Sequence, residues 1–153
     1  MVASSGKDSR EYLESLGASE VVGREDVAGD GKPLGKQRWA AVVDPVGGTS
    51  LAYALRTTRY GGAVAASGLT GGTSLETTVF PFILRMVSLL GVDSVNTPTD
   101  LRLAVWERLA GDLRPNGLDE SITREVSLDD VDSLLDDVLA GKGVGRTVVR
   151  VGG

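Results

Sequence analysis

The chain contains no cysteine and no histidine among its 153 residues. Most zinc sites in proteins use those two residue types, so their absence argues against a zinc centre. It also excludes disulfides and the Cys–His and Ser–His pairs of nucleophilic enzymes. A chain without disulfides fits a cytoplasmic location, which is what we expect here.

Basic clusters and long apolar runs are also lacking. The net charge is −5, and phosphate backbones are bound by clustered Lys and Arg, so we expect no nucleic-acid partner. The longest apolar stretch, Val79 to Val92, is interrupted by Pro81 and Arg85. It is too broken to cross a bilayer, and residues 1–7 do not resemble a signal peptide, so we expect no membrane partner.

Glycine, by contrast, is abundant, with 21 residues. Many glycines follow short apolar runs, a position typical of tight turns between strands and helices. The run Trp39–Asp44 suits a strand buried on both faces, as parallel strands are. Strands and helices alternate, which predicts an α/β fold with a parallel sheet and flanking helices. The predicted strands are Met1–Ala3, Glu20–Val22, Trp39–Asp44, Ala63–Ser67, Val87–Val92, Ile122–Val126 and Arg146–Val151. The predicted helices are Arg10–Gly17, Thr49–Thr58, a short turn at Phe82–Arg85, one ending at Leu113, and Leu128–Ala140.

The motif Ser5-Gly6-Lys7 follows the first strand and precedes a helix. In dinucleotide-binding folds, hydroxyl and cationic groups at such a strand end suit the 2′-phosphate of NADP, whereas an acid suits NAD. Arg24, after the next strand, is a second candidate for the same phosphate. A surface turn with a solvated lysine explains the motif equally simply, and spacing alone favours that explanation.

Two further motifs follow predicted strands: Asp44-Pro45-Val46-Gly47-Gly48 and Gly68-Leu69-Thr70-Gly71-Gly72. Ligands bind at the carboxyl ends of parallel strands, so Asp44 is a candidate for a ligand hydroxyl and the second loop for contact with a flat ring. A capping aspartate and an ordinary loop are the alternatives. The acids from Asp129 to Asp137 are interpreted as a solvated helix face, not a metal site.

Several phrases, taken in order, resemble the acrylyl-CoA reductase/quinone oxidoreductase branch of the medium-chain dehydrogenase/reductase superfamily. The resemblance covers nearly the whole chain, and its most specific phrases are Pro81-Phe82-Ile83-Leu84-Arg85 and Gly91-Val92-Asp93-Ser94. The others include Ser5-Gly6-Lys7, Trp39 to Gly48, Tyr60 to Leu69 and Gly145 to Val149.

The resemblance implies a zinc-free oxidoreductase that moves a hydride from NADPH to an activated double bond, as in acrylyl-CoA, or to a quinone. It places the adenosine 2′-phosphate at Ser5, Gly6, Lys7 and Arg24. It places the nicotinamide half at Leu69, Ile83 and Ser94. Family members often have Arg in place of Lys7, so a point charge replaces a fork-shaped grip. No catalytic residue is assigned.

Against the family pattern, the GroES-like substrate domain and the first strand and Gly-rich turn of the nucleotide fold are missing. We therefore expect an incomplete Rossmann-like sheet: residues 1–120 form a partial NADP-binding domain, and 121–153 a helix and strand that return to the substrate domain. The strands Met1–Ala3 and Glu20–Val22 should be separate from Trp39–Asp44, and Arg146–Val151 should lack a partner. Such a truncated chain would bind NADPH weakly or not at all and would be inactive alone. The alternative is a non-catalytic module that forms a homodimer through the Val87–Val92 strand.

Overall fold

The computed structural model describes residues 1–6 and 9–152. The chain divides into two compact units, one comprising Gly23–Leu103 and the other Met1–Val22 with Ala104–Gly153. In chain order the elements are β1 (Val2–Ser4), α1 (Arg10–Ser15), β2 (Glu20–Val22), a 3₁₀ turn (Glu25–Val27), β3 (Trp39–Asp44), α2 (Gly48–Thr57), β4 (Thr58–Ala66), α3 (Phe80–Arg85), β5 (Ser88–Gly91), α4 (Thr99–Ala110), β6 (Ile122–Ser127), a 3₁₀ turn (Leu128–Asp130), α5 (Val131–Leu139) and β7 (Arg146–Arg150).

The unit Gly23–Leu103 is built on a three-stranded parallel sheet in the order β3-β4-β5. The three strands end level with one another, because Asp44 pairs with Ala66 and Ala66 pairs with Gly91. All three carboxyl ends therefore lie at one edge of the sheet. The predicted parallel α/β architecture with flanking helices is confirmed.

The core of this unit lies between α2 and the sheet. Leu51, Ala54 and Leu55 recur at helical spacing on α2, and they pack with Val64 of β4 and with Val87. Leu55 and Val64 are both fully buried. Burying an aliphatic side chain of this size contributes about 1.5–3 kcal/mol, so this contact anchors α2 on the sheet.

The prediction that β3 is buried on both faces is wrong. Ala40 and Ala41 are exposed, and 76% of Val43 is exposed. An uninterrupted apolar run shows that a strand tolerates burial, but burial itself depends on what covers each face.

The second unit contains two separate pairs of parallel strands, β1 with β2 and β6 with β7. The predicted separation of β1 and β2 from β3 is confirmed. The prediction that the last strand lacks a partner is wrong, because β7 pairs with β6, with Val126 opposite Val149. The two strands meet in parallel after the α5 crossover, so a local β-α-β unit supplies the partner.

The acidic segment before α5 departs slightly from its prediction. Leu128–Asp130 forms a 3₁₀ turn, and the Ser127 hydroxyl lies 2.7 Å from the Asp130 carboxylate instead of capping a backbone N–H. Asp129, Asp130 and Asp136 are exposed, as a solvated helix face requires. Among the described helices, none is long and apolar enough to span a bilayer.

Candidate cofactor site

The carboxyl edge of the β3-β4-β5 sheet is organised by Asp44, the last residue of β3. Its side chain is buried. One carboxylate oxygen accepts hydrogen bonds from the backbone N–H groups of Val46 (3.0 Å) and Gly47 (2.6 Å). The other accepts a hydrogen bond from the Ser50 hydroxyl at 2.8 Å. Both oxygens are engaged within the chain. Asp44 therefore holds the tight turn that precedes α2, whose N-cap residue is Gly47 and which has no side-chain cap.

Two glycine-rich loops interlock at this edge. The Gly71 N–H donates to the Val46 carbonyl at 2.7 Å, joining the loop after β3 to the loop after β4. Gly47 has a positive φ of 75°. A Cβ on Gly68 would lie 2.2 Å from the Pro45 carbonyl oxygen. These contacts require glycine, and they fix the backbone that carries Leu69.

Leu69 and Ser94 lie on neighbouring loops of this edge. Each comes three residues after one member of the register pair Ala66 and Gly91, which ends β4 and β5. Both residues are exposed, with 64% of Leu69 accessible. The structure therefore presents both predicted nicotinamide contacts at the edge where ligands of parallel sheets bind.

Ile83, the third predicted contact, lies on the short helix α3, and 66% of it is exposed. Its neighbour Phe82 packs against the core of the unit instead. Arg85, which ends α3, donates to the carbonyls of Gly35 (2.7 Å) and Arg56 (2.9 Å). Arg85 therefore ties α3 to the end of α2, and Ile83 faces outward.

The loop that carries Ser94 is stabilised by two residues that the sequence analysis did not assign to the site. Asp93 accepts hydrogen bonds from the N–H groups of Val95 (2.9 Å) and Asn96 (3.1 Å) and from the Asn96 side chain (2.9 Å). Arg102 donates to the Ser94 carbonyl at 2.7 Å. The side chain of Asn96, followed by these backbone bonds, lowers the pKa of Asp93. The Asp-x-x-Asn spacing was the available signal for such a turn.

The residues predicted to bind the adenosine phosphate belong to different units. Ser5 and Gly6 follow β1, where the Ser5 hydroxyl lies 2.9 Å from that of Ser9. Lys7 lies outside the described residues. Arg24 belongs to the unit Gly23–Leu103 and is exposed at the start of a 3₁₀ turn. Their roles stay predictions.

A family model described as zinc-binding dehydrogenase matches residues 1–111. The chain belongs to the zinc-binding dehydrogenase family. The residues here do not fit the metal of that name, because the sequence has no Cys or His and the described residues contain no group of three or more potential ligands.

Comparison with individual proteins confirms the predicted branch. YhfP of Bacillus subtilis, named as a quinone oxidoreductase, is 52% identical over 153 residues, 99% of this chain and 46% of that protein. AcuI of Ruegeria pomeroyi, named as an acrylyl-CoA reductase, is 46% identical over 94% of this chain and 44% of that protein. The solved Salmonella enterica yhdH oxidoreductase in complex with NADP has a TM-score of 0.89 and 43% identity, covering 99% of this chain and 46% of that one. The chain thus spans less than half the length of these relatives.

Proposed function

We propose that this chain binds NADPH and forms part of an oxidoreductase that reduces an activated C=C bond, such as that of an enoyl thioester like acrylyl-CoA, or a quinone. NADPH, when bound, supplies the hydride. The observation that carries the proposal is the exposed pair Leu69 and Ser94 at the carboxyl edge of adjacent parallel strands. The naming of its relatives as oxidoreductases and the NADP in one of them support it.

The residues around this edge fit the nicotinamide half of the cofactor. The glycines of the two loops have no side chains that would block a ligand, so a flat ring can approach the backbone there closely. Leu69 and Ile83 offer apolar contacts, and Ser94 is held in place through Asp93 and Arg102. Their function in the proposal is to bind and orient the ring.

Substitution of Leu69 tests this half of the site. Because 64% of Leu69 is exposed, Leu69→Ala removes contact area with little effect on folding. We expect weaker NADPH binding in calorimetry, with the circular dichroism spectrum unchanged. Leu139→Ala, at an 86% exposed leucine of α5, is the matched control. Equal affinity of the Leu69→Ala variant and the control would remove Leu69 from the site.

The preference for NADPH over NADH is proposed to rest on Ser5, Gly6 and Lys7, and separately on Arg24. The contribution of Arg24 is tested by itself. Arg24→Gln should weaken NADPH binding and leave NADH binding unchanged, since only NADPH carries the 2′-phosphate. Arg114→Gln, another exposed arginine, is the control. A parallel loss for both cofactors would assign Arg24 a different role.

The hydride acceptor is identified from NADPH oxidation after addition of acrylyl-CoA or a quinone. The assay is run on the 153-residue chain, for which the sequence predicts no turnover, and on any longer form of the protein. Faster oxidation with acrylyl-CoA supports the enoyl thioester, and faster oxidation with the quinone supports the quinone. Equal rates with NADH would contradict the proposed cofactor.

A second proposal concerns β5, through which two copies of the chain would associate. Within residues 1–6 and 9–152, β5 pairs with β4 alone, and all four of its residues are exposed. Leu90 is 52% exposed, and an apolar edge strand is a template for pairing with another chain. We expect a dimer in size-exclusion chromatography with light scattering, and a shift to monomer in Leu90→Lys. A monomeric wild-type chain would contradict this proposal.

A further inference from the structure

A basic cleft lies in the unit Gly23–Leu103, beside the start of β3 and the end of α2. Its volume is about 640 Å³, and four cationic residues line it: Lys32, Lys36, Arg38 and Arg56. In the part of the chain that the structure describes, no carboxylate lines it. This concentration of positive charge is unexpected in a chain whose 21 acids outnumber its 16 cations.

The cleft lies next to the carbonyl end of α2, where cations often serve only to balance the helix dipole. Here the terminal carbonyls already have other donors. The Arg56 carbonyl accepts hydrogen bonds from the Gly35 N–H and from the Arg85 guanidinium, each at 2.9 Å. The Thr57 carbonyl accepts a hydrogen bond from the Arg38 N–H at 2.8 Å. The lysine side chains are therefore not needed as caps.

The two arginines are held in fixed positions by aromatic rings. Arg38 donates to the Tyr53 hydroxyl at 2.8 Å, and its guanidinium lies 4.5 Å from the centroid of the Trp39 ring. Arg56 lies 5.0 Å from the centroid of the Tyr53 ring and donates to the Gly29 carbonyl at 2.6 Å. Arginines held in this way lose less entropy on binding a ligand, and Arg38 retains donors beyond the one it uses.

Among the described residues, the two lysines have no acidic partner. Both are exposed, and the five ion pairs found there include neither of them. The acid closest to Lys32 in sequence, Asp30, lines a neighbouring cleft together with Glu76, and the two clefts share Arg56. Neither acid forms an ion pair with the four cations in the part of the chain that the structure describes.

We propose that this cleft binds a small phosphate-bearing anion. A single carboxylate carries too little negative charge to neutralise four cations. A diphosphate or phosphate ester carries more, and its oxygens can bind both the planar arginine guanidinium groups and the lysine ammonium groups. The volume lies within the range of small-ligand sites, about 300–1,000 Å³. The described residues that line the cleft include none of those predicted for the cofactor, so we propose it as a site distinct from the cofactor site.

The test is a titration of the chain with pyrophosphate at constant ionic strength, followed by backbone amide NMR. We expect shifts centred on Gly31, Gly35 and Tyr53. The double variant Lys32→Gln/Lys36→Gln should lose at least about tenfold in affinity, because it removes two charge-assisted contacts. The matched control, Arg114→Gln/Lys142→Gln, removes the same charge elsewhere and should bind like wild type.

Three results would overturn the proposal. These are shifts spread over the surface without a centre at the cleft, equal affinity of the two double variants, and a parallel loss of NADPH affinity in Lys32→Gln/Lys36→Gln. A loss of NADPH affinity in the double variant would assign the lysines to the cofactor site. Shifts spread over the surface, or equal affinity of the two double variants, would mean that pyrophosphate is attracted by the positive charge of the surface and has no specific site in the cleft. Unchanged circular dichroism and unchanged NADPH binding in the double variant accompany the supporting outcome.

Discussion

Replacement of Asp44 by alanine should destabilise the chain by about 2–4 kcal/mol. Loss of the hydrogen bond from the Val46 N–H costs about 0.5–1.5 kcal/mol. Gly47 is buried, so its N–H would be left without a partner, which adds about 1–3 kcal/mol. The hydroxyl of Ser50 is half-buried and can turn toward water, so its lost bond adds little.

Asparagine at the same position separates the hydrogen-bond acceptor from the negative charge. Asp44→Asn retains one oxygen that can accept from Gly47, so we expect a loss of about 1 kcal/mol. Asp119→Ala, at an exposed acid, should change stability by less than about 0.5 kcal/mol. The measurement is urea unfolding followed by circular dichroism. A loss in Asp44→Ala no greater than that of Asp119→Ala would refute the role of Asp44 in holding the turn before α2.

Three other perturbations test the core, the glycine loops and the Ser94 loop. Leu55→Ala, at a fully buried core position, should lower the free energy of unfolding in urea by about 2–5 kcal/mol. Leu139→Ala on the surface should lower it little, and similar losses in the two variants would contradict the assigned core. Gly68→Ala should lower the unfolding midpoint, because its Cβ would lie 2.2 Å from a carbonyl oxygen, and an unchanged midpoint would contradict the close approach. The pKa of Asp93 in an NMR titration should be below its ordinary value, and it should rise in Asn96→Ala. Because the pKa is lowered in the folded chain, the stability that this turn contributes is present at neutral pH and is lost as the pH falls through that pKa. An Asp93 pKa that does not change in Asn96→Ala would contradict the assigned cause.

The central unit was predictable because its signals are local. The apolar run of β3, the glycines after it and the helical spacing of Leu51 and Leu55 lie within a few residues of one another. The start of β4 was predicted at Ala63, five residues later than its observed start at Thr58. Gly61 and Gly62 lie within an irregularity of β4, because residues 59–62 fall between the register pairs Trp39–Thr58 and Ala41–Ala63.

The features that could not be predicted from the sequence depend on contacts between residues that are far apart in the chain. Arg85 donates to carbonyls 29 and 50 residues away, at Arg56 and Gly35, so no local pattern could predict its role. The basic cleft likewise collects residues 31–38 and the end of α2. β7 pairs with β6 through the helix between them, whereas the family resemblance predicted that the last strand would return to the substrate domain.

The candidate site likewise contains residues that could be predicted from the sequence and residues that could not. Leu69 and Ser94 were named from the family resemblance, and the sheet register places both just past the ends of adjacent strands. Asp93 and Arg102, which shape the Ser94 loop, were not assigned to the site, since a turn that organises its own backbone resembles any surface turn. Geometry therefore added the supporting contacts, while the resemblance supplied the candidates.

Calorimetry of the folded chain with NADPH, beside NADH, tests the central claim most directly. Circular dichroism first establishes that the chain is folded. The proposed function predicts binding that is weak but clearly tighter for NADPH than for NADH. A folded chain that binds neither cofactor, or that binds both equally, would contradict the proposal that these residues form an NADPH site.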